Sequence, residues 1–225
     1  MRAFDHQDVR AYLYRCASAV KRHQAYLTRL DAALGDGDHG DNLAMGFAAV
    51  AEMLTTDTSA TPGHLLRRAG YELTASVGGA SGPLYGTAFI QAAEAAGAHP
   101  TIDADLLGQM LEAAALALAR RGRCSVGDKT IQDTLRPAVD AYHAARSSGH
   151  APAACLAAAI HAGARGMRST RALVAQRGLA IRLGERAIGH LDPGAVSCLL
   201  LLRAMVAPAR PSTSRRDQHL AGVDA

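Results

Sequence analysis

The chain is predicted to be all-α, and three observations carry that expectation. Its 225 residues are 49% hydrophobic but only 4% aromatic, with no Trp, so the core must be built mainly from aliphatic side chains. Stretches rich in Ala and Leu, such as Met110–Arg120 and Ala151–Arg165, are strong helix formers. Long runs of β-branched residues alternating with polar ones, the mark of half-buried strands, are absent. The length suffices for one large domain, and no break in composition divides it.

Helical periodicity interrupted by turn signals marks eight segments. Asp5–Leu34 comes first and is long enough to hold a break. Asn42–Thr55 follows an acidic, glycine-rich stretch and ends at the polar turn Thr56–Ala60. Thr61–Val77 runs to the Gly78–Gly82 turn. Leu84–Ala96 follows, with Ser81 as N-cap candidate and Pro83 in the first turn, where proline is tolerated. Asp103–Arg121 starts after the polar turn Gly97–Ile102. Thr130–Ser147 and Ala151–Thr170, the latter running on as far as Ala175 in its longest form, are separated by Ser148–His150. Pro193–Val206 closes the set, with Asp192, Pro193 and Gly194 reading as N-cap, N1 and N2. The helical domain is expected over residues 1–207. The tail Pro208–Ala225, rich in Pro, Ser, Arg and Gly, is expected to be disordered. No internal repeat of fixed period is present.

In an up-and-down helical array, consecutive connections alternate between the two ends. The first, third, fifth and seventh connections start at Gly35, Gly78, Gly122 and Gly178, and they hold the unusual residues. Connections two, four and six are plain polar turns. All the unusual loops should therefore gather at one end.

The bulk properties exclude several classes. A net charge of +4 and a pI of about 9.1 are mildly basic, but the arginines are scattered with no aromatic platform beside them, so no nucleic-acid partner is expected. The most apolar stretch, Ala195–Ala207, is thirteen residues long and contains Arg203, too short to span a bilayer. The N-terminus is too polar for a signal peptide. Cys16, Cys124, Cys155 and Cys198 show no paired spacing, as fits reduced thiols in a cytoplasmic protein.

The chemistry concentrates in Leu30–Asn42, where thirteen residues hold four carboxylates, an imidazole and three glycines. Carboxylates this crowded repel one another and call for a cation. Hard oxygen donors suit Mg²⁺ or Ca²⁺ rather than zinc. A Ca²⁺ loop fails, because aligning Asp36 and Asp38 with its first and third ligands puts Phe47 where a bidentate Glu belongs. Mg²⁺ uses a few carboxylates plus substrate phosphates, so a nucleotide site follows. Asp31, Asp36 and Asp38 are the metal candidates, with helix capping as the alternative for any one of them. Asp41 caps or flanks the next helix. His39 and Asn42 sit at a helix start, where free N–H groups and the dipole attract anions. Backbone N–H groups at Ala80 and Ser81 can cradle phosphate oxygens. Lys129 lacks a Walker pattern and reads as a surface lysine at a helix start.

Four ordered blocks now carry a family resemblance. They are Asp31…Gly35-Asp36-Gly37-Asp38-His39-Gly40-x-Asn42, Gly78–Thr87, Gly127-Asp128-Lys129-Thr130 and Leu183–Gly194. In that order and over nearly the whole chain, they resemble the nucleotide-binding L subunits of dihydroxyacetone kinases. The resemblance implies an antiparallel eight-helix barrel that binds ADP or ATP with two Mg²⁺ at one end. It assigns metal ligation to Asp31, Asp36 and Asp38. Phosphate contacts fall to His39, Gly40, Asp41 and Asn42 and to the turn at Gly79, Ala80 and Ser81. Gly122, Ile131, Asp192, Pro193 and Gly194 are implied to line the adenine and ribose pocket. With His39, the three aspartates make up the candidate catalytic set.

By the same resemblance, the phosphoryl group passes to a short ketose such as dihydroxyacetone. That substrate is held on a separate K-type subunit through a covalent link to histidine. ADP then serves either as a carrier recharged by a phosphohistidine protein of the phosphotransferase system or as a product exchanged for ATP. Two departures bear on this. Leu179 stands where the family has an arginine that reaches the phosphates, a contact leucine cannot make, with Arg182 nearby as a substitute charge. Val126 replaces a common proline before Gly127. They motivate two alternatives: a kinase subunit for another ketose such as a tetrulose, and a nucleotide-sensing module that binds a transcription regulator.

Overall fold

A computed structural model describes residues 3–206, so the expected disordered tail lies outside the described residues. The helices are α1 (His6–Ala32), α2 (His39–Thr56), α3 (Pro62–Ser76), α4 (Ser81–Ala96), α5 (Ala104–Gly122), α6 (Gln132–Ser147), α7 (Pro152–Ser169) and α8 (Pro193–Ala204). A 3-10 turn at Thr170–Ala172 ends α7, and a 3-10 stretch at Leu179–Ala187, bent at Gly184, precedes α8. Each helix packs on its neighbours in the chain and α8 returns to α1, closing an antiparallel barrel. The all-α, eight-helix expectation holds, and α1 is unbroken over 27 residues.

Four of the eight helices start at a side-chain cap. Asp5 and Asp8 exchange side-chain bonds with each other's N–H at the head of α1. Thr61 caps α3 with Pro62 at its first position, Asp103 caps α5, and Asp192 caps α8 by accepting from Ala195 N–H at 2.7 Å. Ring closure uses longer links. Arg15 Nε donates to the Ala204 carbonyl at 2.7 Å, tying α1 to the end of α8. Arg136 forks onto Glu112 with two bonds of 2.8 Å between α6 and α5. Phe4 and Ile102 exchange backbone bonds of 2.8 and 2.7 Å, pinning the start of the chain to the α4–α5 connection.

The core is aliphatic, as composition requires. Leu13, Leu27, Leu43, Leu54, Leu65, Leu73 and Leu118 are fully buried, joined by Phe47 and Tyr142. Each such side chain contributes about 1.5–3 kcal/mol by leaving water. An apolar cavity of about 140 Å³ remains inside the barrel, lined by Tyr12, Phe89, Leu107, Met110, Leu118 and Cys198 among others. All four cysteines are free and buried. No helix among the described residues is long and apolar enough to cross a membrane.

One connection differs from its expectation. Thr56–Ala60 reads as a plain polar turn, yet it holds the buried Asp57. Asp57 accepts from Ser59 N–H at 3.0 Å and Ser59 Oγ at 2.8 Å, and pairs with Arg68 and, at 3.7 Å, with Arg10. A carboxylate can be buried there because two guanidiniums and a hydroxyl replace its water.

Candidate functional site

The acidic loop links α1 to α2. Asp31, in the last turn of α1, accepts the N–H groups of Asp38 and His39 on its Oδ2, at 2.9 and 3.1 Å. This remote carboxylate starts α2 at His39, three residues before the expected Asn42, while Asp38 makes no cap bond of its own. Gly37, at φ +77°, turns the chain between Asp36 and Asp38. One oxygen from each of Asp31, Asp36 and Asp38 then lies within 4.8 Å of the others. Capping and ligation are compatible in Asp31. Its Oδ2 caps, and its Oδ1 lies where a Cβ on Gly35 would approach to 2.7 Å, so a side chain there would push that oxygen aside.

The cluster lacks an internal counterion: among the described residues, no Lys, Arg or His pairs with these three aspartates. Burial raises the Asp38 carboxyl above its ordinary value, Asp36 and Asp31 push it further, and a hydrogen bond from Asn42 opposes them. Three convergent hard oxygens with uncompensated charge fit a divalent cation such as Mg²⁺.

Around this loop the structure assembles the other expected elements. Asn42 faces Gly78, where a Cβ would lie 3.0 Å from its Oδ1, so the first turn of α2 touches loop three. Gly79 and Ala80 are exposed at the turn. Asp41 sits in the first turn of α2 and accepts from Gln24 Nε2 at 2.7 Å. Gly40, in the first turn of α2, is buried against Gln24 and Thr28 of α1.

Ser81 corrects an expectation. It begins α4 rather than capping it from outside, and the N-cap Ala80 has no side chain able to cap. The Ser81 hydroxyl instead lies 3.0 Å from His39 Nδ1. His39 is buried, and its Nε2 lies 2.9 Å from Ser197 Oγ on α8. Both ring nitrogens are taken, so a direct bond from the ring to a phosphate is not available while these contacts stand. Burial lowers the imidazole pKa against the pull of Asp31, which favours the neutral ring.

Loops five and seven and the start of α8 pack against one another. Ile131 is buried beside Gly194, where a Cβ would come 3.7 Å from the Ile131 nitrogen. Gly122 ends α5 next to Leu84 of α4. Asp192 caps α8 with Pro193 at its first position, as expected. Burial pushes the Asp192 carboxyl up to about 7, with the Ala195 N–H and Lys129 opposing and Asp133 and Asp31 adding to the rise.

Lys129 is a second correction: it is 2% exposed, not a surface lysine. At φ +62° its chain turns inward, and Nζ donates to the carbonyls of Thr170 and His190, both at 2.5 Å. Burial lowers its pKa, while Asp192 and Asp133 pull the other way. Lys129 thus ties loop five to loop seven, a task that the Asp128 carbonyl shares by accepting from Gln176 N–H.

Three contributors escaped sequence reasoning. Asp133 accepts from Gly127 and Thr130 N–H groups at 2.6 and 2.7 Å and shapes loop five. Its spacing from Thr130 is that of a capping box, a readable signal. Tyr85 and Ser197, 2.6 Å apart beneath His39, carry no local signal at all. Leu179 is 42% exposed and Arg182 is exposed, so neither is locked into the core.

Residues 33–207 match the DAK2 domain family. The ADP-binding subunit DhaL of the PEP-dependent dihydroxyacetone kinase of Escherichia coli is 37% identical over 88% of this chain and 95% of its own length. The corresponding subunit of kinase 2 from Listeria innocua is 39% identical, over 83% of this chain and 87% of that one. The L-erythrulose 1-kinase of Mycolicibacterium smegmatis is 34% identical over 81% of this chain but only 32% of its own length. Among solved structures, the dihydroxyacetone kinase of C. freundii superposes with a TM-score of 0.68 at 24% identity. The match covers 91% of this chain and 36% of that one, a likeness of fold. A second structure of that kinase, in complex with AMP-PNP and Mg²⁺, gives 0.66.

Proposed function

The chain belongs to the DAK2 domain family, and on that premise we propose that it is the ADP-binding, phosphoryl-transferring subunit of a dihydroxyacetone kinase. The observation that carries this reading is the cluster of Asp31, Asp36 and Asp38, three carboxylates within 4.8 Å of one another with no ion-pair partner among the described residues. It lies next to an exposed glycine turn and the start of α2, which offer N–H groups for an anion.

Asp31, Asp36 and Asp38 would hold Mg²⁺, which when bound draws charge from the phosphates and aligns them for in-line transfer. We place two ions there, because three carboxylates and a diphosphate together carry roughly six negative charges and a single ion offsets only two. Gly79, Ala80 and Ser81 supply donors to the phosphates, as do Gly40, Asp41 and Asn42 at the start of α2. Gly122, Ile131, Asp192, Pro193 and Gly194 form the wall against base and ribose. Asp31 also fixes the start of α2, so ligation and anion binding share one anchor.

The acceptor is a short ketose held covalently by a histidine of a K-type partner. A phosphohistidine carrier recharges the bound ADP, a reading supported by relatives named PEP-dependent and PTS-dependent that match over most of their length. The similarity to erythrulose kinases keeps a tetrulose as the second acceptor to test. Calorimetry should detect ADP binding that needs Mg²⁺ and vanishes with chelator. With a K-type partner and a phosphohistidine carrier, phosphorylated dihydroxyacetone should accumulate. Metal-independent or absent ADP binding would refute the reading.

A further inference from the structure

Beneath the proposed phosphate site runs a line of polar groups. Tyr85 OH lies 2.6 Å from Ser197 Oγ, Ser197 Oγ lies 2.9 Å from His39 Nε2, and His39 Nδ1 lies 3.0 Å from Ser81 Oγ. Tyr85, Ser197 and His39 are all at least nine-tenths buried, whereas Ser81 is half-buried. The Gly194 carbonyl borders the line, 3.1 Å from Ser197 Oγ and 3.4 Å from Tyr85 OH. The line joins α4, α8 and α2 at the end where the motif loops meet.

The donor inventory allows two orientations of a neutral imidazole. In one, Ser81 O–H donates to Nδ1, Nε2–H donates to Ser197, and Ser197 O–H donates to the Gly194 carbonyl. Ser81 then turns lone pairs toward any anion in front of it. In the other, every proton is reversed. Tyr85 O–H donates to Ser197, Ser197 O–H donates to Nε2, and Nδ1–H donates to Ser81. The Ser81 proton is then free to point at an anion. Only the second orientation is electrostatically compatible with a phosphate at Ser81.

We propose that Tyr85 and Ser197 are positioning residues that act through His39 to present the Ser81 hydroxyl as a hydrogen-bond donor to the nucleotide's phosphates. This deepens the reading of the site as a phosphate site and rests on it. Neither Tyr85 nor Ser197 touches the ligand. Their effect is to hold His39 in the tautomer protonated on Nδ1, and a bound polyphosphate selects that tautomer in return.

The test is a double-mutant cycle read by ADP–Mg²⁺ affinity, with NMR of the imidazole nitrogens alongside. Ser197→Ala should weaken binding about five- to tenfold, the equivalent of one ordinary hydrogen bond. In a Ser81→Ala background the same substitution should change affinity less than about twofold, because its effect passes through Ser81. Tyr85→Phe should follow the same pattern more weakly, and it deletes only a hydroxyl should Ser197→Ala perturb folding. In the unaltered protein, with His39 assigned from a His39→Gln sample, adding ADP–Mg²⁺ should leave Nδ1 protonated and Nε2 bare. Additive effects in the cycle, unchanged affinity in both variants, or an Nε2-protonated ring in the complex would each overturn the inference. If the unaltered chain fails to bind ADP–Mg²⁺ at all, the functional reading falls and this inference falls with it. Binding that is indifferent to Ser197 and Tyr85 overturns the inference alone.

Discussion

Asp57, in the α2–α3 connection, and Asp31, in the last turn of α1, stand at opposite ends of α2. At the Asp57 end the carboxylate is buried and its charge is met from within, by Arg10, Arg68 and Ser59. At the Asp31 end three carboxylates converge, and among the described residues no Lys, Arg or His pairs with them. The first arrangement is finished by the chain itself. The second has the electrostatics of a site left open for a ligand, and the folded barrel carries that repulsion.

The strongest way to break this contrast is to neutralise the open end. Asp36→Asn or Asp38→Asn should cut phosphoryl transfer about 10²–10³-fold, as expected for losing a group that organises transition-state charge. The measurement is turnover with a K-type partner at saturating Mg²⁺. Near-normal turnover would assign the carboxylates to capping alone.

Next in size is the internally paired end. Asp57→Asn leaves two guanidiniums without their carboxylate and should destabilise the fold by about 2–3 kcal/mol. Melting should fall by roughly 5–10 °C for a domain of this size. The pH dependence has a definite sign. Burial pushes the Asp57 carboxyl up, but hydrogen bonds from Ser59 and the charge of Arg68 outweigh it and leave the carboxyl below its ordinary value. Its stabilisation is therefore complete above the ordinary carboxylate range near pH 4 and fades as pH falls through the lowered value. Asp57→Asn should lose that part of the acid-induced transition, read by melting temperature against pH between about 2 and 5.

A smaller effect tests whether the open end lacks a cation of its own. Leu179→Arg restores a guanidinium where the resembling family has one and should raise transfer roughly fivefold through one charge-assisted bond. Unchanged kinetics would mean that Arg182 or the metal already suffices.

The smallest effect is the sharpest in sign. Without metal, Asp38→Asn removes like-charge repulsion and should raise the melting temperature by on the order of 1 °C, whereas Asp57→Asn lowers it. Saturating ADP–Mg²⁺ should reverse the order at the open end. The unaltered protein gains about 2.7 kcal/mol at a hundredfold excess over the dissociation constant, and the variant gains much less.

The eight helices were legible because their signals are local. Aliphatic periodicity marked each segment, and Asp103, Thr61 and Asp192 sit where a cap must sit, each bonding a residue three positions on. The acidic trio was legible for a similar reason, since four carboxylates in thirteen residues need no fold to be conspicuous. Where reading failed, the partner was distant. The start of α2 was misplaced because its cap is Asp31, seven and eight residues upstream of the groups it bonds. Lys129 reads as a surface residue in the sequence because its acceptors, Thr170 and His190, lie 41 and 61 residues away. Ser81 has the composition of a cap, but His39 claims its hydroxyl.

Local order thus came from the chain's own text: which stretches are helical, where half of them start, and which loop gathers charge. These depend on hydrogen bonds and side-chain spacing within about one helical turn. The environment of each polar group came from closure of the barrel. His39 meets Ser197 across 158 residues, and only the return of α8 to α1 brings them together. Burial then decides whether a histidine is neutral, whether a lysine is a staple, and which carboxylates are left waiting for a cation. Those properties belong to the dielectric and the neighbours around a group, and a linear sequence specifies neither until it is packed.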